Sequence, residues 1–439
     1  MRFLNCLFIL SFSLVILPVG AQAQNLAIAA SHANGVYSPG EPIVWTVSVT
    51  GDNASQVRSA HYLIRKGGGV TLSDGNLGLS TGSAQVTTAQ TEPLSYLLEV
   101  TAVSTGQTKP LRADGGAVVA PEQIQPSMTR PADFDAFWTR KLADLDAVSP
   151  NPVVETGDSG RLGVHYETVT MDNVGGAKVH AQIARPERDG KFPALIVMQY
   201  AGVYGLKKET VTNPAARGWL AVDIMAHDLP LNHPDSFYET AGKTTLKNYT
   251  AIGNDNRETS YFFKMILGCV RVAKYLMTRP DWNGTTIVAV GTSQGGFQAI
   301  ALTALVPQVN AVLVLVPAGC DQTGDAAGRA VPWPYWIKSA TPQNHDALRE
   351  ASRYYDAMNF ASRIHVPALV GIGLIDRTST PSGDFAAVNQ MAGPKETVIL
   401  PFSGHHGTHN TQAAFHARES QWLKALQAGH APPIVSGAH

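Results

Sequence analysis

Gly291-Thr292-Ser293-Gln294-Gly295-Gly296 stands between an apolar run over 286–290 and a helix-length apolar pattern over 297–305. The stretch fits G-x-S-x-G, and a strand before it with a helix after it is the context that makes the match informative. The residue types have a physical reason. A serine at the crest of a sharp strand-to-helix turn presents its hydroxyl to solvent. Gly291 and Gly295 remove side chains that would collide where strand and helix converge. The backbone N–H of Gln294 then points into the site, and the helix N-terminus favours a developing oxyanion. Ser293 is the expected nucleophile, with Gln294 as one oxyanion donor.

Further apolar runs cover 194–198, 220–224, 311–316, 368–373 and 397–400. Runs without polar alternation suit parallel strands buried on both faces. Helix-length patterns fall between them, as over 261–276. Arg130-Pro131-Ala132-Asp133-Phe134-Asp135-Ala136-Phe137-Trp138 opens another, expected to run to about Leu145. Alternating strands and helices predict an α/β fold with a mostly parallel sheet and helices on both sides. Functional groups then gather beyond the carboxyl ends of the strands.

A nucleophilic serine needs a base, and the base needs an orienting acid. In chain order the acid follows the serine and the histidine comes last. Asp376 follows the apolar run 367–374, and His405 follows 397–402 in the loop Ser403-Gly404-His405-His406. Asp376 would hold the imidazole tautomer while His405 takes and returns the Ser293 proton. Asp321 and Asp384 compete as acids, and His406 and His409 as bases. Three other patterns lead elsewhere. Gly371-Ile372-Gly373 hints at a dinucleotide loop, but its third glycine position holds Asp376. Gly242-Lys243-Thr244 resembles the end of a P-loop, but Phe237 stands where the upstream glycine belongs. His405-His406-x-x-His409 lacks the carboxylate of H-E-x-x-H and reads as a polar loop. No metal and no cofactor is expected.

Ahead of this region, residues 24–119 carry strand signals. Pro42-Ile43-Val44-Trp45-Thr46-Val47-Ser48-Val49 alternates, and 60–65 and 95–103 are similar. Gly67-Gly68-Gly69 and Ser73-Asp74-Gly75-Asn76 read as turns between them. Short strands at that spacing predict a β-sandwich, Ig-like in character. The expected division is a segment 1–23, a β-sandwich over 24–119, one large α/β domain over 120–432, and a tail over 433–439.

Residues 1–23 read as a secretory signal. Arg2 is the charged start, 3–18 the apolar stretch, and Ala21-Gln22-Ala23 the cleavage site. The apolar run falls short of the ~20 residues that cross a bilayer. Export is therefore expected, to the periplasm or the outside of the cell. Loss of Cys6 with the signal leaves Cys269 and Cys320. An oxidising compartment permits one disulfide, while their apolar surroundings suit two buried thiols.

The 439-residue chain has 33 Lys+Arg against 34 Asp+Glu, a formal net charge of −1. That balance gives no global positive field for nucleic acid. With 44% hydrophobic residues, the chain is not disordered either.

From about Met128 to His406 the sequence resembles carbohydrate esterase family seven, the acetylxylan esterase and cephalosporin-C deacetylase group. The resemblance rests on Arg130-Pro131-Ala132-Asp133-Phe134 and Ser293-Gln294-Gly295-Gly296. It rests also on Gly373-Leu374-Ile375-Asp376 with Thr380-Pro381, on Tyr355-Asp356-Ala357-Met358-Asn359-Phe360-Ala361, and on Gly393-Pro394-Lys395-Glu396. It implies an α/β-hydrolase fold and a triad of Ser293, Asp376 and His405. It also implies deacetylation of small acetylated sugars, xylan or xylo-oligosaccharides among them, or of cephalosporin-type esters. The family's F-H-G-Y-x-G loop is matched by Tyr200-Ala201-Gly202-Val203-Tyr204-Gly205. Val203 is then the second oxyanion donor, with Tyr204 one residue away. The family's R-G-Q-G segment is replaced here by Met225-Ala226-His227-Asp228, and the acidic residue after the histidine by His406. These departures bear on substrate more than on chemistry. The hexameric assembly of compact members is not carried over, since this chain adds a β-rich region.

Tyr204, His227, Asp321 and Trp333 are expected to line the pocket. Trp333-Pro334-Tyr335-Trp336 is a possible aromatic wall. The expected partner is an acetylated carbohydrate or related ester, with no nucleic acid, and no membrane once the signal is cleaved. Two rival functions follow from the same residues. One is a prolyl-oligopeptidase-type serine peptidase, whose propeller is longer than the β-rich region here. The other is a catalytically silent, glycan-binding scaffold, against which the intact Ser, Asp and His argue.

Overall fold

The computed structural model describes residues 25–435 and 437, apart from 53 and 104–108. The expected signal 1–23 lies outside the described residues, as do 436, 438 and 439 of the expected tail.

A nine-stranded sheet forms the centre of the larger part. Its order from one edge is Lys395–Leu400, Ala368–Gly373, Ala311–Leu315, Trp282–Thr292, Phe192–Met198, Leu220–Ile224, Lys178–Pro186, Val164–Asp172 and Val153–Gly157. The first six pair in parallel and the last three antiparallel. Every residue of Leu220–Ile224 and Ala368–Gly373 is buried. These strands are apolar throughout because helices cover both sheet faces. On one face Phe134, Trp138, Phe262, Ile266, Phe297 and Phe360 form a continuous core. On the other, Val211 and Ala215 of Glu209–Ala216 pack with Phe415, Trp422 and Leu426 of Ala413–Gln427. Ser260 caps the long helix Tyr261–Thr278 by accepting from the Phe262 N–H. Pro280 follows its end, where it disfavours a further helical residue before it.

The N-terminal strands make two sheets. Asn25–Ala30, Pro42–Thr50 and Ser83–Ala89 form one. Val36–Tyr37, Leu111–Val119, Leu94–Ala102, Ser59–Lys66 and Val70–Gly78 form the other. Ile43, Trp45 and Val47 point inward on alternate positions and meet Ile64, Leu94 and Leu98. This is the period-two pattern of a half-buried strand. One expectation is corrected. Ser73-Asp74-Gly75-Asn76 is not a turn but the middle of Val70–Gly78, with Tyr62 opposite Gly75 and Leu63 opposite Asp74. The strand is at the sheet edge and largely exposed, so polar residues cost little there. A Cβ at Gly75 would strike the Tyr62 ring.

The β-rich part seats against the end of the central sheet. Ser95 Oγ lies 2.6 Å from Ser382 Oγ, and the Ala330 N–H donates to Gly67 O at 2.9 Å. Gly116 lies so close to Leu374 that an added Cβ would be 2.7 Å from its carbonyl carbon and oxygen.

Candidate active site

Five strands deliver the site from their carboxyl ends. Trp282–Thr292 leads into Ser293, Ala368–Gly373 into the loop of Asp376, and Lys395–Leu400 into the loop of His405. Phe192–Met198 leads into the Gly202-Val203 loop, and Leu220–Ile224 into His227.

Ser293 has φ 57 and ψ −123, a strained conformation for a residue with a side chain. The surroundings impose it. The Ser293 N–H donates to Leu315 O at 3.0 Å, and its carbonyl accepts from Phe297 N–H at 3.1 Å and Ala318 N–H at 3.0 Å. A Cβ on Gly291 would overlap the Gly295 carbonyl, and one on Gly295 would overlap Met198 O. Both glycines are therefore required by close packing.

Ser293 Oγ lies 2.7 Å from His405 Nε2, and His405 Nδ1 lies 2.7 Å from Asp376 Oδ2. The other Asp376 oxygen accepts from the N–H of Thr378 at 2.7 Å and of Ser379 at 3.0 Å. The carboxylate is thus fixed on one side and free to accept from imidazole on the other. Nδ1 carries the proton in that pair, which leaves Nε2 bare to accept from the serine hydroxyl. The two loops are held together at Gly373, where a Cβ would meet Ser403 O, and by the Ile375 N–H donating to Ser403 O at 3.2 Å. Such a chain can pass a proton off a nucleophile and return it to a leaving group.

The Gln294 and Val203 backbone N–H groups have no protein acceptor among the described residues. Gln199 holds the Val203 loop in place. Its Nε2 donates to Tyr204 O at 2.8 Å, and its Oε1 accepts from the Ala226 N–H at 2.9 Å. Tyr249 donates to Gln294 Oε1 and lies 3.4 Å from the Gly202 N–H. A groove of about 540 Å³ opens beside this loop, lined by Gly202, Val203, Tyr249 and Trp333. Tyr200 and Phe402, 55% and 53% exposed, stand on the loops that carry Val203 and His405.

The remaining expected residues divide. Trp333 lines the groove, whereas Trp336 is buried against Phe262. Tyr204 stacks on Tyr200 with ring centres 4.9 Å apart. Asp321 is corrected: it does not line the groove. Its carboxylate is taken by Ser127 and by Arg329 at 2.8 Å. His227 is corrected too. It lies 2% exposed behind the Val203 loop and borders a separate cavity of about 630 Å³, which no triad residue lines. Asp384 is buried and does not touch His405, while His406 and His409 are exposed. Tyr249, Tyr261 and Gln199 were not singled out from sequence. Their partners lie 25 to 47 residues away or are backbone atoms, so no local motif marks them, save for Gln199 five residues from Tyr204.

A strained serine between strand and helix, with His and Asp from later strand ends, defines an α/β-hydrolase of the serine class. The chain belongs to the acetyl xylan esterase (AXE1) family, whose model matches residues 122–426. It is a carboxylic ester hydrolase. Acetyl esterase Axe7A of Xylanibacter ruminicola is 28% identical over 317 residues, covering 70% of this chain and 69% of that protein. Two solved structures share the fold. The acetyl xylan esterase from Paenibacillus sp. R4 has a TM-score of 0.58 at 24% identity, covering 68% of this chain and 96% of its own. Acetyl xylan esterase 1 from Thermoanaerobacterium sp. JW/SL YS485 has a TM-score of 0.57 at 24% identity, with the same coverage. The peptidase and silent-scaffold alternatives are not favoured by this family membership.

Proposed function

We propose that the chain removes acetyl groups from acetylated sugars, with xylan or its oligosaccharides as the substrate class and cephalosporin-type esters as small analogues. The observation that carries the reading is the hydrogen-bonded chain from Ser293 through His405 to Asp376, with 2.7 Å at each link.

Ser293 Oγ attacks the acetyl carbonyl as its proton passes to His405 Nε2. The carbonyl oxygen becomes an oxyanion and takes hydrogen bonds from the Val203 and Gln294 N–H groups. Each such donor is worth roughly 10²–10³ in rate. His405 then gives the proton to the sugar oxygen, which leaves as an alcohol. Water attacks the acetyl-enzyme with His405 again as base, and acetate leaves Ser293 free. Asp376 stays ionised and stabilises the imidazolium. Trp333 in the groove, with Tyr200 and Phe402 at its rim, offers apolar faces on which sugar rings stack.

The same proposal includes export directed by residues 1–23 and a division into a β-sandwich over 24–119 and a catalytic domain over 120–432. Among the described residues no helix is long and apolar enough to cross a membrane. Ser293→Ala should abolish acetate release from p-nitrophenyl acetate and acetylated xylan in a protein that still melts cooperatively. Turnover near that of the parent would refute the assignment. A screen over acetylated xylan, acetylated oligosaccharides and cephalosporin C would then rank the substrates.

A further inference from the structure

We infer that His227 is a positioning residue that aims the Val203 N–H into the oxyanion hole. The inference rests on the reading above, in which Val203 is a donor. His227 Nε2 lies 2.9 Å from Gly202 O, and Nδ1 lies 2.7 Å from the Tyr261 hydroxyl. A carbonyl oxygen only accepts, so Nε2 carries the proton. Nδ1 of the neutral ring is then bare and accepts from the Tyr261 O–H. Both ring nitrogens are satisfied in one tautomer. Burial lowers the pKa of the ring and keeps it neutral, although the bond to Gly202 opposes this in part.

The Gly202 carbonyl and the Val203 N–H belong to the same peptide unit. That unit is planar and trans, so the two groups point in opposite directions. A ring that holds the carbonyl on one side therefore sets the direction of the N–H on the other. The restraint matters because Gly202 has φ +119, a region open chiefly to glycine. Glycine there leaves the peptide plane free to rotate unless an outside contact stops it. Among the described residues, His227 is the only side chain that donates to Gly202 O.

The same cluster reaches the second donor. The Tyr249 ring meets the His227 ring edge-on at 4.7 Å, and its hydroxyl donates to Gln294 Oε1. The loop of Val203 and the turn of Gln294 are thus tied to one buried group of rings. His227 touches no reacting atom in this arrangement, so its effect runs through the peptide plane.

The test is a pair of polar substitutions that differ in reach. In His227→Gln the amide nitrogen takes the place of Nε2 and can still donate to Gly202 O. In His227→Asn the amide ends near the place of Nδ1 and cannot. With p-nitrophenyl acetate, His227→Asn should lose about 10²-fold in kcat, the scale of one oxyanion donor, with KM changed little. His227→Gln should stay within about tenfold of the parent. Binding of benzeneboronic acid, whose serine adduct carries a tetrahedral anion, should weaken in parallel with kcat. Equal rates in the two variants, or a fall in KM terms alone, would overturn the inference. Melting temperatures identify a variant that has merely unfolded, in which case Tyr261→Phe replaces it. That variant removes the O–H that selects the tautomer and should lower kcat; an unchanged kcat would again overturn the inference. Ser293→Ala is measured alongside. If it keeps turnover the reading of the site fails, and if only the His227 contrast fails the site stands without this role.

Discussion

Arg377, the residue after Asp376, places Nη2 2.8 Å from Asp114 Oδ1 in the β-rich region. It also pairs with Glu99. Residues outside the matched family region therefore grip the loop that carries the triad acid. The Arg377 side chain is 53% exposed, so solvent screens both pairs. Arg377→Ala should cost no more than about 1 kcal/mol of stability. Gly116→Ala should cost more, because its new methyl meets the Leu374 backbone, which cannot turn aside. Overpacking of that kind costs about 1–3 kcal/mol. Gly78, with open space around it, supplies the control substitution. Urea unfolding measures all three. Equal losses for Gly116→Ala and Gly78→Ala would show that the contact is not tight.

Asp376→Asn keeps the shape of the acid and changes its chemistry. The amide of the variant cannot accept at both of the places where Asp376 now accepts, two backbone N–H groups on one oxygen and imidazole on the other. The preferred histidine tautomer is lost. A fall of ~10⁴ in kcat is expected, by the general logic of a serine triad. The melting temperature should move far less than activity does. A fall of under tenfold would remove Asp376 from the triad.

Asp384 is buried and neither of its oxygens has a hydrogen-bond partner among the described residues. Burial first, then the charge of Asp376, raises its pKa well above the carboxylate range, and the Cys320 thiol opposes this only as a lesser effect. The sign follows from linkage. Below ~3.9, the free carboxyl value, both folded and unfolded chains hold the proton. Above it the unfolded chain releases the proton and the folded chain keeps it. Stability therefore falls by ~1.4 kcal/mol per pH unit until the folded group ionises. Asp384→Asn lacks that slope. Its stability relative to the parent should rise between about pH 5 and pH 8 in denaturant titrations. A difference independent of pH would mean that Asp384 is ionised in the folded chain.

Cys269 and Cys320 are both free and buried. Burial pushes the Cys269 thiol up to about 12, and Cys320 is also pushed well above its usual value. Neither should react with a disulfide reagent such as Ellman's at neutral pH while the chain is folded. Both should react in denaturant. Rapid labelling of the native protein would show that one of them is exposed.

The nucleophile turn was legible because its constraint is local. Gly291, Ser293 and Gly295 lie within five residues, and sterics at one crossing dictate all three. Strands buried on both faces were legible for a similar reason. The runs at 220–224 and 368–373 match Leu220–Ile224 and Ala368–Gly373 end to end. The edge strand Val70–Gly78 was hidden because solvent tolerates the turn-forming residues it carries. Asp321 misled for the opposite reason. It follows a strand end as a site residue should, but Ser127 and Arg329, distant in sequence or unremarkable in type, claim its carboxylate. His227 was visible as a residue and not as a role. Its orientation depends on Gly202 and Tyr261, 25 and 34 residues away.

Lys395–Leu400 lies at the edge of the nine-stranded sheet, and His405 follows it. Synthesis runs from the N-terminus, so the base is the last of the three triad members to leave the ribosome. A chain halted just short of it has already produced every strand of the sheet except for what the final helix covers. Such a chain would hold its serine poised with nothing to take the proton. Hydrolysis of an ester during refolding is then a clock for the docking of one outer strand, and the newborn enzyme stays silent until that strand is home.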